Sequence, residues 1–363
     1  MAEEQGTSDE LDALIEEQRW DSAFVRLLAN PDEAKKSRIR ATPFELLDLV
    51  ASLYPDAITM PDRRCNDTPL HLVCRQSQTS SKRVKALLAH LKDPDGVLIR
   101  NRFGGTSLHS AANHNATIET FRELVRTNSR IVRVATREGV YAVATLWHAY
   151  VQTIQGHMCI AHALKGDNIS SEHFARFWEK AKFLASEYFR RTTACPEEID
   201  NRTRFVLHGL IQCNVDISFF KIALKIEPGL AITPNAQGSL PLHILVKDRP
   251  YRLKERQAIV AALQAYPRAA LIANKAGYTP LLIAIGSKLP WENGLDCIAN
   301  AALSMIQRRD PLTGLFPFLL AASNGGPMSV STTYHLLSAR PDLLRPRDTA
   351  ETNFHVQSSS LYG

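Results

Sequence analysis

The sequence has no C-x-x-C pair, no apolar run near the ~18 residues a bilayer span needs, and no base among its first 18 residues. Its six cysteines, Cys65, Cys74, Cys159, Cys195, Cys213 and Cys297, lie far apart. That is the usage of a reducing compartment, not of a disulfide framework. The opening MAEEQGTSDELDALIEEQ carries seven acids, whereas a secretory signal or mitochondrial presequence needs positive charge. These absences predict an intracellular protein with no membrane span, in the cytoplasm first and with the nucleus as an open alternative. Catalytic signatures are missing too: there is no G-x-x-x-x-G-K-[ST], no G-x-S-x-G, no H-E-x-x-H and no kinase set. The expectation is a protein that is not an enzyme and has no cofactor.

What is present is ordinary globular material, 45 % apolar and 22 % charged, in a chain of 363 residues that is too long for one compact core. The net charge of +6 divides unevenly. Residues 1–18 contribute −7, so the other 345 carry +13. A basic body suits a nucleic-acid binder, and equally an array whose exposed faces are rich in arginine.

Self-similarity is the informative signal. CNDTPLHLVC, FGGTSLHSAA, EGVYAVATLW, TRFVLHGLI, QGSLPLHILV, AGYTPLLIAI and TGLFPFLLAA align on Leu70, Leu108, Val143, Leu207, Leu242, Leu281 and Phe318. The intervals are 38, 35, 64, 35, 39 and 37 residues, so one is longer than its neighbours by 29. A second feature keeps the same phase: Pro55, Pro228 and Pro267 precede their leucine positions by 15, 14 and 14 residues. A fixed period in this range marks stacked supersecondary units.

Each period parses physically. Thr68-Pro69 and Thr279-Pro280 supply a helix cap and a first-turn proline, Thr106 keeps the cap, and Pro241 keeps the proline. Second helices follow, with Val84, Leu87, Leu88 and Leu91, and then Ile259, Ala262, Leu263 and Tyr266, at helical spacing. An x-Pro step stops each of them. An apolar stretch and a Gly-containing turn then lead into the next unit.

Helix, turn, helix and an extended turn ending in G-x-T-P-L-H resemble the ankyrin repeat, over about residues 42–345. The resemblance rests on Thr68-Pro69-Leu70-His71, Gly105-Thr106-Ser107-Leu108-His109, Leu207-His208, Gly238-Ser239-Leu240-Pro241-Leu242-His243 and Gly277-Tyr278-Thr279-Pro280-Leu281. Departures are a period longer than about 33 residues, Pro-x-Ala in place of Gly-Ala after the second helix, and non-histidine residues at Ala144, Leu282 and Leu319. The expected fold is all-α, an ankyrin-like solenoid with short β-hairpin or extended finger turns. An α-α solenoid without fingers is the alternative.

The domain reading places an acidic leader at 1–18, an N-terminal helical cap at 19–41 and the repeats at 42–345. An aromatic-rich helical insertion falls at about 150–202, and a tail at 346–363. In the insertion Phe174, Phe177, Trp178, Ala181, Ala185 and Tyr188 follow helical spacing, with Ser170 or Ser171 as cap.

Candidate chemistry is sparse. His71, His109, His208 and His243 recur once per unit, which suits a structural role, since catalytic and metal groups converge on one place. The resemblance implies that these histidines bridge neighbouring repeats. His148, His157, Cys159, His162 and His173 are the nearest approach to a zinc set, but no second paired-ligand element accompanies them, so no metal is expected. Arg122, Arg126, Arg130, Arg133 and Arg137 form a basic series interleaved with Glu119 and Glu123 and without stacking aromatics. That makes nucleic acid the weaker reading beside a solvated face or an acidic protein partner.

The resemblance implies a scaffold or adaptor that binds a partner protein on a concave face. The residues expected to be exposed there, at the turns before each first helix, are Arg63, Arg64, Asn101, Arg102, Phe103, Arg137, Asn235, Gln237, Asn274 and Lys275. Phe103 is the candidate anchor. Nucleic-acid binding through the arginines, or metal binding through the His/Cys cluster, is the alternative.

Overall fold

In a computed structural model, the described residues are 55–62, 65–75, 81–153, 172–192, 205–213, 215–247 and 255–344, with Arg26, Asp48, Ala51 and Ser52. The leader, the bulk of the cap, the tail and the outer parts of the insertion therefore lie outside them. So do Ser170, Ser171 and the pair Arg63 and Arg64.

The described residues form fourteen α-helices and no strand, an all-α architecture. Seven are first helices: α1 (Pro69–Arg75), α3 (Ser107–Asn113), α5 (Ala142–Val151), α7 (Val206–Gln212), α9 (Pro241–Lys247), α11 (Pro280–Gly286) and α13 (Pro317–Ser323). Each period-defining residue, from Leu70 to Phe318, is the second residue of its helix and is buried. The partners are α2 (Ser81–Ala89), α4 (Ile118–Thr127), α6 (Glu172–Thr192), α8 (Ile217–Ile226), α10 (Glu255–Ala265), α12 (Leu295–Ala301) and α14 (Pro327–Ala339). Amphipathic spacing places Val84 and Leu87 of α2, and Ile259, Ala262 and Leu263 of α10, in the core. Leu88 is only half buried, and Leu91 lies beyond the end of α2.

Packing follows the period. α1 lies on α3 and α3 on α5; α7 lies on α9, α9 on α11 and α11 on α13. On the other side α2 packs on α4, α8 on α10 and α10 on α12. One continuous apolar core runs from Ala51 to Leu336.

The stretch after the second helices differs from the extended segment expected. After α2, α4, α8, α10 and α12 it is a five-residue 3-10 helix, at Pro94–Leu98, Ser129–Arg133, Pro228–Ile232, Pro267–Leu271 and Leu303–Gln307, and after α14 a four-residue one at Pro341–Leu344. Proline at the first position costs no hydrogen bond and presets φ. Two central residues of the turn, such as Leu230 and Ala231 or Ala269 and Ala270, then face the core. The turns that follow are not two-stranded hairpins among the described residues, where the single β-bridge joins Ala135 and Tyr141.

The long interval delivers α6, with Phe174, Phe177, Trp178, Ala181, Ala185 and Tyr188 all buried as their spacing predicts. α6 runs antiparallel to α5. Tyr150, near the end of α5, stacks on Phe177 at 4.1 Å, and Tyr141, just before α5, meets Tyr188 near the end of α6 at 4.9 Å. α7 packs against α6 where other first helices pack against one another. The crossing is close enough that a Cβ at Gly209 would run into the Ala185 carbonyl oxygen. Ion pairs flank α6, Arg122 to Glu179 at 3.1 Å and Lys182 to Glu227 at 2.8 Å. Lys180 is buried, with Nζ donating to Asn115 Oδ1 at 2.5 Å.

Candidate functional site: the turns and the groove beside them

Each turn is closed by its own first residue. Asn101 Oδ1 accepts the amides of Phe103 and Gly105, both at 3.0 Å. Asn235 Oδ1 accepts those of Gln237 at 3.0 Å and Ser239 at 2.8 Å. Asn274 Oδ1 accepts those of Ala276 and Tyr278 at 3.1 and 3.0 Å. Asp62 and Asp310 do the same with a carboxylate. Asx side chains favour such turns because their oxygen reaches the backbone two residues on. The fourth residue, Gly104, Gly139, Gly238 or Gly277, has φ between +73° and +85°, where glycine is favoured.

Adjacent turns are tied by single backbone bonds. The amides of Arg102, Arg137 and Lys275 donate to the carbonyls of Cys65, Phe103 and Gln237, at 2.8, 3.3 and 2.9 Å. The approach is tight: a Cβ at Gly104 would sit 2.6 Å from the Arg137 nitrogen. At the next junction the equivalent residue is Pro311, which has no amide hydrogen to donate and instead sets its ring against Gly277.

The recurrent histidines hold unit to unit. His71 Nδ1 accepts the Thr68 amide at 3.2 Å, and its Nε2 donates to the Gly105 carbonyl of the next unit at 3.1 Å. His109 accepts from the Thr106 amide and donates to Val140, both at 3.2 Å. His208 donates to Ser239 at 3.1 Å, and His243 accepts the Leu240 amide at 3.0 Å. In His71, His109 and His243 the ring thus serves as the reach-back member of a capping box, and in His71, His109 and His208 it reaches the next unit. An Nδ1 that accepts an amide hydrogen must be unprotonated, so Nε2 carries the proton. Burial, which disfavours the charged ring, pushes His109, His208 and His243 down to about 4, and lowers His71 as well. Where Leu282 replaces histidine, Thr279 Oγ1 instead caps α11 by accepting the Leu282 amide at 3.4 Å.

Beside three of these turns lies an open groove of about 1060 Å³. Its walls are the turns at 235–239, 274–278 and 310–313, and its floor is the neighbouring face of α9, α11 and α13. Half-buried Tyr278, Ile283 and Leu320 supply apolar surface above the buried Ile244 and Leu282, and Leu312 stands 83 % exposed at one end. Lys247 and Lys275 also line it, and neither pairs with a carboxylate among the described residues. Asp310 lines it too, with Oδ2 accepting the Leu312 and Thr313 amides; the two lysines, outside any ion pair, favour an anionic, partly apolar ligand. The groove is open and runs across three successive turns, a shape that suits a segment of chain.

The residues expected at an exposed binding face divide. Asn235, Gln237, Asn274 and Lys275 come together in this groove, while Asn101, Arg102, Phe103 and Arg137 belong to earlier turns. The expected exposure is corrected for Asn101 and Asn235, which are each 8 % exposed because their side chains are spent closing turns. Asn274 is half buried for the same reason. Gln237, Lys275, Arg102 and Arg137 are exposed, and Phe103 is 59 % exposed with the Arg102 guanidinium 5.7 Å from its ring. Sequence reasoning missed Ile244, Lys247 and Ile283. Ile244 and Ile283 stand two places after Leu242 and Leu281; Ile244 is buried in the core and Ile283 is half buried at its edge.

His157, Cys159 and His162 lie outside the described residues. Among the described ones, no three groups converge to hold a metal, and His173 stacks on Tyr150 at 5.3 Å. Arg122 and Arg126 of the basic series are paired with Glu179 and Glu123. No described helix is long and apolar enough to cross a membrane. Compared with known proteins, the sequence matches no family model and no curated protein.

Proposed function

We propose that this chain is an intracellular, non-catalytic, ankyrin-like repeat solenoid that binds a partner protein with an acidic surface. The reading is carried by the groove, in which three rigid turns and three first helices present an apolar floor beside Lys247 and Lys275. A stack of this kind displays a large surface with little ordering cost on binding. The turn ladder and the histidine bridges support the resemblance, because both recur in phase with T-P-L-H and both join one unit to the next. Carboxylates already pair Arg122 and Arg126, which leaves the arginine series less suited to tracking phosphates.

The test is partner capture from the native cell with the intact chain and with Lys247→Glu/Lys275→Glu. The doubly reversed chain should lose its acidic partners while keeping its circular dichroism spectrum. Undiminished capture by the reversed chain would move binding elsewhere, and the parallel variant Phe103→Ala asks whether that place is the earlier turns.

A further inference from the structure

The groove, taken as the binding face just proposed, leaves one prominent feature without a role: the leader, with seven carboxylates and no cation in 18 residues. Its chemistry complements the groove on two counts. The carboxylates oppose Lys247 and Lys275, neither of which forms an ion pair among the described residues. Leu11, Leu14 and Ile15 offer apolar side chains to the accessible apolar lining of Tyr278, Ile283, Leu312 and Leu320.

We infer that residues 1–18 occupy this groove as a pseudo-ligand within the same chain and compete with the acidic partner. The leader is an internal copy of the partner's chemistry, held near the site by its tether. Reach permits it. Gln18 and Asp48 are separated by 29 residues. Those span about 44 Å if wound entirely as helix and about 100 Å if fully extended. The walk from α1 to α9 takes about five helix-to-helix steps of about 9 Å, roughly 45 Å, and the leader adds its own length. A tether of this kind supplies an effective concentration in the millimolar range, so even a weak contact excludes a dilute competitor.

The experiment uses the full chain, a chain lacking residues 1–18, and a fluorescein-labelled peptide of residues 1–18 read by anisotropy. The peptide should bind the shortened chain and bind the full chain at least about tenfold more weakly. Lys247→Glu/Lys275→Glu in the shortened chain should reduce peptide binding by about tenfold or more, with an unchanged melting temperature. Carbodiimide treatment of the dilute full chain should give amide cross-links from leader carboxylates to Lys247 or Lys275 within one chain, located by mass spectrometry. Equal peptide binding to full and shortened chains, or cross-links that avoid both lysines, would overturn the proposal. Should the shortened chain still capture an acidic partner through these lysines while the peptide fails to bind, the groove reading stands and the leader proposal falls. Should the lysine variants change neither, both fall.

Discussion

Mild acid should weaken this protein through its histidines, before its carboxylates take up protons. Burial holds His109, His208 and His243 at about 4, against an ordinary value of 6.5. In the unfolded chain the same rings protonate as the pH drops through about 6.5. Between those values the unfolded state binds more protons than the folded one, so stability rises with pH and is lost on the way down. For one such ring the loss on going from about pH 7.5 to about pH 5 is about 2 kcal/mol. Three rings lose about 6 kcal/mol together, a large share of the ~5–15 kcal/mol that holds a typical domain. His71 shifts in the same direction and adds to the effect. The geometry explains why relaxation gives little relief. Protonating Nδ1 of His109 would set a new N–H against the Thr106 amide that it now accepts. The assay is urea unfolding followed by far-UV circular dichroism at about pH 7.5, 6 and 5. The expected result is a midpoint that falls steadily across that range. A companion variant, His243→Gln, should reduce the pH slope by about a quarter to a third whatever its effect on absolute stability. A midpoint unchanged between pH 7.5 and 5, or an undiminished slope in His243→Gln, would refute the reasoning.

Gly209→Ala drives a methyl group into the Ala185 carbonyl at the α6–α7 crossing, with an expected cost of about 3 kcal/mol or more; differential scanning calorimetry should show a clear fall in melting temperature. Asn235→Ala strands the amides of Gln237 and Ser239 and should cost about 1–3 kcal/mol in urea melts. Asn235→Asp keeps the accepting oxygen and should recover most of that loss, as the carboxylates of Asp62 and Asp310 also accept turn amides, at other offsets.

The phase of the fold is legible because the same mechanical demand recurs in every unit. The second residue of each first helix must be buried, so leucine or a close substitute returns there despite drift elsewhere. The histidines are legible for the same reason. The role of Asn101 and Asn235 is harder to read, because asparagine suits both an exposed turn and a turn closed by its own side chain. The clue is the glycine three places on, whose positive φ belongs to a tightly closed turn. The 3-10 helices escape notice because a five-residue segment is too short to show a helical period. α6 is recognisable as a helix from its aromatic spacing, but its seat against α7 depends on Gly209, a single small residue inside a first helix. The groove is least legible of all. It exists only once three units are set side by side, which brings Lys247 and Lys275, 28 residues apart in sequence, to one trough.

The ladder of single amide bonds between turns has a consequence for how the molecule comes apart. In a one-dimensional array cooperativity is set by nearest-neighbour coupling, so a missing rung is a place where melting can stop. Among the described residues one rung is missing, where Pro311 contributes no donor. That gap divides the described units into a main block and a final unit. Amide exchange should follow that division, with the slowest hydrogens inside the main block and the final unit opening alone at the lowest free energy. The terminal wall of the groove belongs to that unit, so the lifetime of the site would be governed by a proline.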